Sequence, residues 1–324
     1  MAWGSPGSAS RISTSLVYAS ATNLSATTSR IWRAHADGSR PVLITEGTSP
    51  QLSPGGRWIA FVRTRQRPLQ SELLLVAACG GQPRLLQQVS GRFLEAPVWA
   101  PDSRDLVSVD AGGPRKSGGL VLIDLRSGKR RMFASARRLS AVVSPSFSPD
   151  GHQIVYARED QTGADLYVYS LAARTTRQIT HDHRDIDPSW GPTWIAYNRG
   201  GFTHAGDVWL VHGDGSGAHR LTHTNAGLYP AAWSADGTRL LAAYPAMHNG
   251  RLWAVELPNG HSRALTGWVG DLYPQGLSRD GSTVLAAIGC GGLVSPYGTI
   301  ETLPFSGGKP TVLVSGPCRA SWNR

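Results

Sequence analysis

The chain has 324 residues, 40% hydrophobic and 17% charged, so it can bury a sizeable core and is too apolar for wholesale disorder. The formal net charge is +10, but scattered Arg carries nearly all of the positive charge, with Lys only at Lys116, Lys129 and Lys309. No basic run exceeds the three residues Lys129-Arg130-Arg131, which reads as a solvated surface and excludes a specific nucleic-acid footprint.

The first fourteen residues, opening "MAWGSPGSAS", form a short polar tail at 1–14 with neither a basic n-region nor an apolar h-region. No later apolar run approaches the ~18 residues that a membrane-spanning helix needs, so no membrane span is expected. From there the chain reads as strands. "LVYAS" 16–20, "IWRAH" 31–35 and "PVLIT" 41–45 are short apolar segments, the last two joined by the turn "ADGS" 36–39.

At Pro50 a longer unit begins. The proline is followed by Leu52, the tight turn "SPGG" 53–56, and the strands "WIAFV" 58–62 and "LLLVA" 73–77. The same order returns at Pro97, Pro145, Pro188, Pro230, Pro274 and Pro317, at spacings of 47, 48, 43, 42, 44 and 43 residues. The copy at Pro145, "PSFSPDGHQIVYA" 145–157, is the most regular. Its Ser-Pro-Asp-Gly turn uses Pro to preset φ, and Asp and Gly to close a hairpin. "APDS" 100–103 lacks the final Gly, and "GPTW" 191–194 shortens the turn.

Four antiparallel strands per unit of about 45 residues predict β-propeller blades. The first strand set, 16–45, has no proline strand before it, and the last proline segment, "GPCRASWNR" 316–324, has no strands after it. Each fragment supplies what the other lacks. The expected fold is therefore an all-β, seven-bladed propeller of four-stranded blades over residues 15–324, one domain. The C-terminal segment should give the innermost strand of the N-terminal blade, because closure removes the open sheet edges.

The unit "PSFSPDG…IVYA…DLYVYS…RQIT" resembles the WD40-like (PD40-type) repeats of the TolB-like propellers across 15–324. That resemblance implies an interaction scaffold. The chain departs from the pattern in having seven units where six are usual, and no N-terminal α/β domain.

In such a ring the loops leading into the innermost strands share one face with the channel mouth, where propeller function usually resides. "HDHRDID" 181–187 alternates His181 and His183 with Asp182, Asp185 and Asp187, and imidazole with carboxylate suits a divalent metal or acid–base chemistry. Further ligands would have to come from His223, His204 and His248, and the alternative is a hydrated polar loop. "GLYP" 227–230 and "DLYP" 271–274 place Tyr229, Asp271 and Tyr273 before blade-opening prolines, with Trp268 nearby; such aromatics anchor peptides or stack on sugars, or else pack between blades.

Cys79, Cys290 and Cys318 show no metal spacing. A Cys290–Cys318 bridge would staple the closing segment and leave Cys79 free; buried free thiols are the alternative. No G-x-S-x-G elbow or P-loop is present.

The reading that follows is a monomeric, non-enzymatic scaffold without cofactor, presenting its loop face to a protein or peptide, with carbohydrate a further candidate. The alternative is a metal-dependent enzyme, such as the propeller polysaccharide lyases of this repeat type, which use a His-rich site. The compartment is the cell envelope or outside if a signal segment is missing from this sequence, and the cytoplasm otherwise.

Overall fold

The second segment of each repeat is apolar at nearly every position, which suits a strand covered on both faces. The computed structural model describes residues 15–21, 29–112, 117–136, 140–200, 206–244, 250–270, 272–289 and 298–322, and places each such segment second in an antiparallel sheet. Seven sheets form, one per repeat, each of four strands. In blade 3 the innermost strand is split into Phe93–Leu94 and Val98–Trp99. The other innermost strands, from blade 1 on, are Pro317–Trp322, Thr48–Leu52, Ala141–Phe147, Asp185–Trp190, Tyr229–Trp233 and Leu272–Leu277. No helix occurs among the described residues.

The ends of the chain share blade 1. Its order is Pro317–Trp322, Ser15–Ala21, Ser29–His35, Val42–Glu46, with Val17 opposite Ser321 and Tyr18 opposite Ala320. The seven-bladed architecture and its closure are those expected from the repeat count.

Between each pair of neighbouring blades lies one apolar cluster. Val155, Ala157, Leu166 and Val168 of blade 4 meet Ile195, Tyr197 and Val211 of blade 5, for example. Ile154, Val155, Tyr156 and Ala157 are all fully buried, because alternate residues face the two adjoining blades. Burial of each large side chain contributes about 1.5–3 kcal/mol. Polar ties recur at the same interfaces. The indole Nε1 of Trp99 donates to Gln51 O and that of Trp233 to Ser189 O, each at 3.0 Å. Arg84, Arg177 and Arg263 each donate to a carbonyl of the following blade: Leu125 O at 3.2 Å, Gly213 O at 2.7 Å and Phe305 O at 2.8 Å.

The repeated turns close as their sequence dictates. Ser234 Oγ donates to Asp236 Oδ1 at 2.6 Å and accepts from Arg239 N at 2.9 Å, while Gly237 takes φ +72°. Ser148, Asp150 and Gly151 repeat this in blade 4, and Ser278, Asp280 and Gly281 in blade 7. In blade 3, Ser103 stands at the glycine position with φ 62°, and its Oγ accepts from Gly55 N at 2.9 Å, tying two turns together.

The segment "HDHRDID" 181–187, read from the sequence as a loop, runs into the innermost strand Asp185–Trp190. In blades 2, 4 and 5 the innermost strand extends upstream of its proline because a bulge absorbs the proline. Register shifts fall between Val143 and Ser146 and between Ile186 and Ser189. Cys79 is exposed and free; Cys290 and the side chain of Cys318 lie outside the described residues.

Deleting residues 317–324 leaves Ser15–Ala21 with an open edge and should cost at least about 4 kcal/mol in urea unfolding; an unchanged midpoint would contradict closure by this strand.

Turn hydrogen bonds, led by the serine hydroxyl, hold the carboxyls of Asp236 and Asp280 down at about 2. Unfolded Asp titrates near ~4, so this contribution is complete above that pH and is lost as pH falls towards 2. Asp236→Asn with Asp280→Asn should flatten the acid limb of stability over that window, as read by urea titrations at stepped pH.

Candidate functional site

Buried carboxylates hold the loops above the channel. Asp207 opens the third strand of blade 5 and is almost inaccessible. Its oxygens accept from Thr222 Oγ1 at 2.7 Å, Thr224 N at 2.8 Å and Asn225 N at 3.0 Å, and it pairs with Arg220. These donors hold its carboxyl below the ordinary range despite burial. Asp165 anchors the corresponding loop of blade 4: it accepts from His183 N at 3.0 Å and lies 2.9 Å from His183 Nδ1. The threonines ending "RQIT" and "HRLT" complete both clamps, Thr180 Oγ1 accepting from Leu166 N at 2.9 Å and Thr222 Oγ1 from Val208 N at 3.0 Å.

Asp185 and Asp187 separate into two roles. Asp185 is fully buried and receives Arg199 through Nε at 2.8 Å and Nη2 at 3.1 Å. Arg199 also reaches Asp182 at 2.5 Å and lies over the Trp209 ring at 4.1 Å, closing a structural cluster. Burial pushes the Asp185 carboxyl up against the pull of that guanidinium.

Asp187 faces the channel. Its Oδ1 accepts from Ser144 Oγ at 2.5 Å, and the two residues take left-handed φ of 51° and 52°, each immediately before a blade-opening proline. Such a conformation costs a non-glycine residue about 1–2 kcal/mol. The bulge at each proline enforces it and turns the preceding side chain into the mouth. Ser144, Asp187 and Tyr229 line a cavity of about 380 Å³ with Pro145, Pro188, Pro230 and Pro274. Burial raises the carboxyls of Asp187 and Glu159, and the Asp187 and Glu95 charges add to the rise at Glu159. Burial, then Asp187, then Tyr244 raise the Tyr229 phenol.

From this cavity the line of side chains continues outward. Tyr244 meets Trp268 edge-to-face with ring centres 5.7 Å apart, and the Arg251 guanidinium lies 5.3 Å from the Trp268 ring centre. Trp268 is 55% and Tyr273 38% exposed, and an aromatic left open to solvent at a rim is available for contact. Below the cavity, Ser146, Ser189 and Ala231 form a waist of small residues. It leads to a second space of about 560 Å³ lined by Trp99, Trp190 and Trp233.

Of the residues singled out in the sequence, Asp187 and Tyr229 come together at the mouth, while Asp271 lies outside the described residues. His181, His183 and His223 are exposed on the loops, and the imidazole of His183 is engaged by Asp165. His204 and His248 fall outside the described residues. Among the described residues no group of three or more His, Cys, Asp or Glu is placed to hold a metal ion. Ser144, Glu159, Tyr244 and Arg251 join the site without having been singled out. For Ser144 a signal was present, since it precedes Pro145 as Asp187 precedes Pro188 and Tyr229 precedes Pro230.

Asp207→Ala strands several buried donors and one arginine, and should cost about 3–5 kcal/mol in urea unfolding, with faster amide exchange at Thr224 and Asn225.

A TolB homolog of Chlorobium luteolum is 25% identical to this chain over 173 residues, which cover 50% of this chain and 40% of that protein. The chain thus matches less than half the length of that relative. The crystal structure of TolB from Acinetobacter baumannii superposes with a TM-score of 0.62 at 18% identity, covering 91% of this chain and 79% of that one. An oligogalacturonate lyase in complex with manganese gives 0.63 at 14% identity, covering 93% and 84%. Likeness at these identities carries the fold alone. Residues 56–288 match the TolB beta propeller domain family, PD40, and the chain belongs to that family.

Proposed function

We propose that the protein is a binding scaffold whose loop face and channel mouth receive a segment of a protein or peptide partner. One observation carries this reading. Tyr229, in the cavity with Ser144 and Asp187, lies close enough to Tyr244 to feel its charge, and Tyr244 meets the exposed Trp268 edge-to-face, a polar and aromatic series from cavity to rim. An extended segment suits such a series, with an anchoring side chain in the cavity and its neighbours over the rim aromatics. The clamps at Asp165 and Asp207 support it by fixing the surrounding loops beforehand, which lowers the ordering cost of binding. Membership of the TolB beta propeller family agrees with an interaction role.

Selection of peptides from a displayed random library, followed by titration of the enriched sequences, tests the proposal. Trp268→Ala and Tyr229→Ala should each weaken binding about 10-fold or more, the loss expected of interface aromatics, without lowering the melting temperature by more than a few degrees. Peptides that bind equally well to both variants would place the partner elsewhere. Manganese uptake abolished by His181→Ala with His183→Ala would favour the lyase reading instead.

A further inference from the structure

The seven outermost strands are not alike, and the difference follows a contiguous arc. In blades 7, 1, 2 and 3 the fourth strand is bulged against the third. The register shifts fall between Ile300 and Glu301, Ile31 and Trp32, Leu73 and Leu74, and Leu120 and Val121. The outer residue just before each bulge is apolar and about half exposed: Val312 at 52%, Leu43 at 48%, Leu85 at 51% and Met132 at 52%.

The equivalent positions of blades 4, 5 and 6, opposite Tyr167, Trp209 and Trp253, hold Gln178, Arg220 and Ala264 in strands that pair without a shift. Gln178 and Arg220 fold back onto the clamps, donating to Thr180 O and Thr222 O at 2.9 Å each. One structural position therefore serves the loop clamps on one side of the ring and stands open on the other.

Charge follows the same arc. The turns beside three of the four apolar positions, in blades 7, 1 and 3, carry Lys309, Arg40, Arg126 and Lys129; Arg130 opens the blade 3 strand, and Arg57 sits in the first turn of blade 2. All six are exposed. The carboxylates in those turns, Asp37 and Asp124, already accept turn amides: Ser39 N at 2.9 Å on Asp37, and Arg126 N at 2.8 Å and Ser127 N at 2.9 Å on Asp124. Arg177 of blade 4 and Arg263 of blade 6 are bonded to carbonyls of the next blade, as is Arg84 within the arc, so none of these three is a free base.

Equivalent positions around a propeller axis lie at one height, so the four apolar residues, second or third in their outer strands, form a row along the turn-side rim of one arc with the bases beside them. We propose that this arc of the turn face, opposite the channel mouth, docks on an anionic lipid bilayer. The cationic heads lie among lipid phosphates, and Leu43, Leu85, Met132 and Val312 enter the interfacial zone. A flat surface reaches all four blades at once, which a single extended peptide does not. A nucleic acid would use the bases and leave the apolar row without a partner.

Flotation with vesicles of phosphatidylcholine alone, and with about a third phosphatidylglycerol added, tests this, since each cation at an anionic surface contributes about fivefold in affinity. The protein should float with the anionic vesicles only. Arg57→Glu with Lys129→Glu and Arg130→Glu should abolish flotation. Leu85→Ser with Met132→Ser, at half-exposed positions, should weaken it about tenfold with no change in melting temperature. Arg65→Glu with Arg67→Glu and Arg174→Glu makes the same charge change at exposed sites off the arc and should leave binding largely intact.

Any of several results would overturn the proposal: no flotation, flotation indifferent to lipid charge, or equal loss in the two charge-reversed variants. So would tighter binding to a DNA duplex than to vesicles, or a dimer that the Leu85 and Met132 changes dissolve.

Discussion

Pairing of the two chain ends within blade 1 is the constraint on which the rest of the molecule depends. Each blade buries its faces only against its neighbours, so a chain of blades left open would expose two apolar faces as well as two sheet edges. The strand Pro317–Trp322 beside Ser15–Ala21 completes blade 1, whose faces meet blades 2 and 7 in the clusters around Phe61 and Leu285. With the ring closed, the innermost strands hold fixed positions about the channel. Side chains from blades as distant in sequence as Ser144 and Tyr229 can then line one cavity.

The same repeat that builds the ring also shapes the mouth. A proline that cannot donate to the ladder is accommodated by a bulge, and in blades 2, 4 and 5 the residue before it is forced to left-handed φ: Ser49, Ser144 and Asp187. Structural necessity thus sets the direction of a side chain at the mouth. The two sets of aspartates respond to pH in opposite senses. Asp236 and Asp280, solvated and bonded in turns, stabilise the fold above the unfolded carboxylate range and lose that contribution in acid. Asp187 is raised by burial, so its contribution is complete at low pH and is lost as pH rises through its folded value. Turn carboxylates favour the ionised fold, and the mouth carboxylate opposes it.

The fold was legible in the sequence because every blade repeats the same local chemistry. A proline, an apolar residue and a Ser-x-Asp-Gly turn recur at a nearly fixed interval, and the incomplete first and last units match each other. The site was legible only in part. Tyr229 and Asp187 were visible as residues beside prolines and in an acidic loop, whereas the sorting of Asp185 from Asp187 was not. Two residues apart in one strand, they share a composition but not an environment: a bulge lies between Ile186 and Ser189, and Arg199 from the second strand claims Asp185. The "HDHRDID" pattern suggested ligands, yet His183 is held by Asp165 from a strand about eighteen residues upstream, a contact that spacing does not encode.

The outer strands show why seven similar repeats need not make seven equivalent surfaces. The third strands carry Asp165 in blade 4 and Asp207 in blade 5, two residues before Tyr167 and Trp209, and there the facing outer residue is Gln178 or Arg220, which completes the clamp. At the same position blades 1, 2, 3 and 7 hold Arg30, Glu72, Gly119 and Thr299, none of them a buried aspartate that needs this polar partner. Bulged strands and apolar residues occupy it instead. Ordering of the loop face is therefore concentrated in blades 4 and 5, next to the Asp187 cavity, while the far side of the ring is released from that duty. A ring whose blades divide the work in this way can offer a partner one ordered face and a second surface one the opposite rim, without either compromising the other.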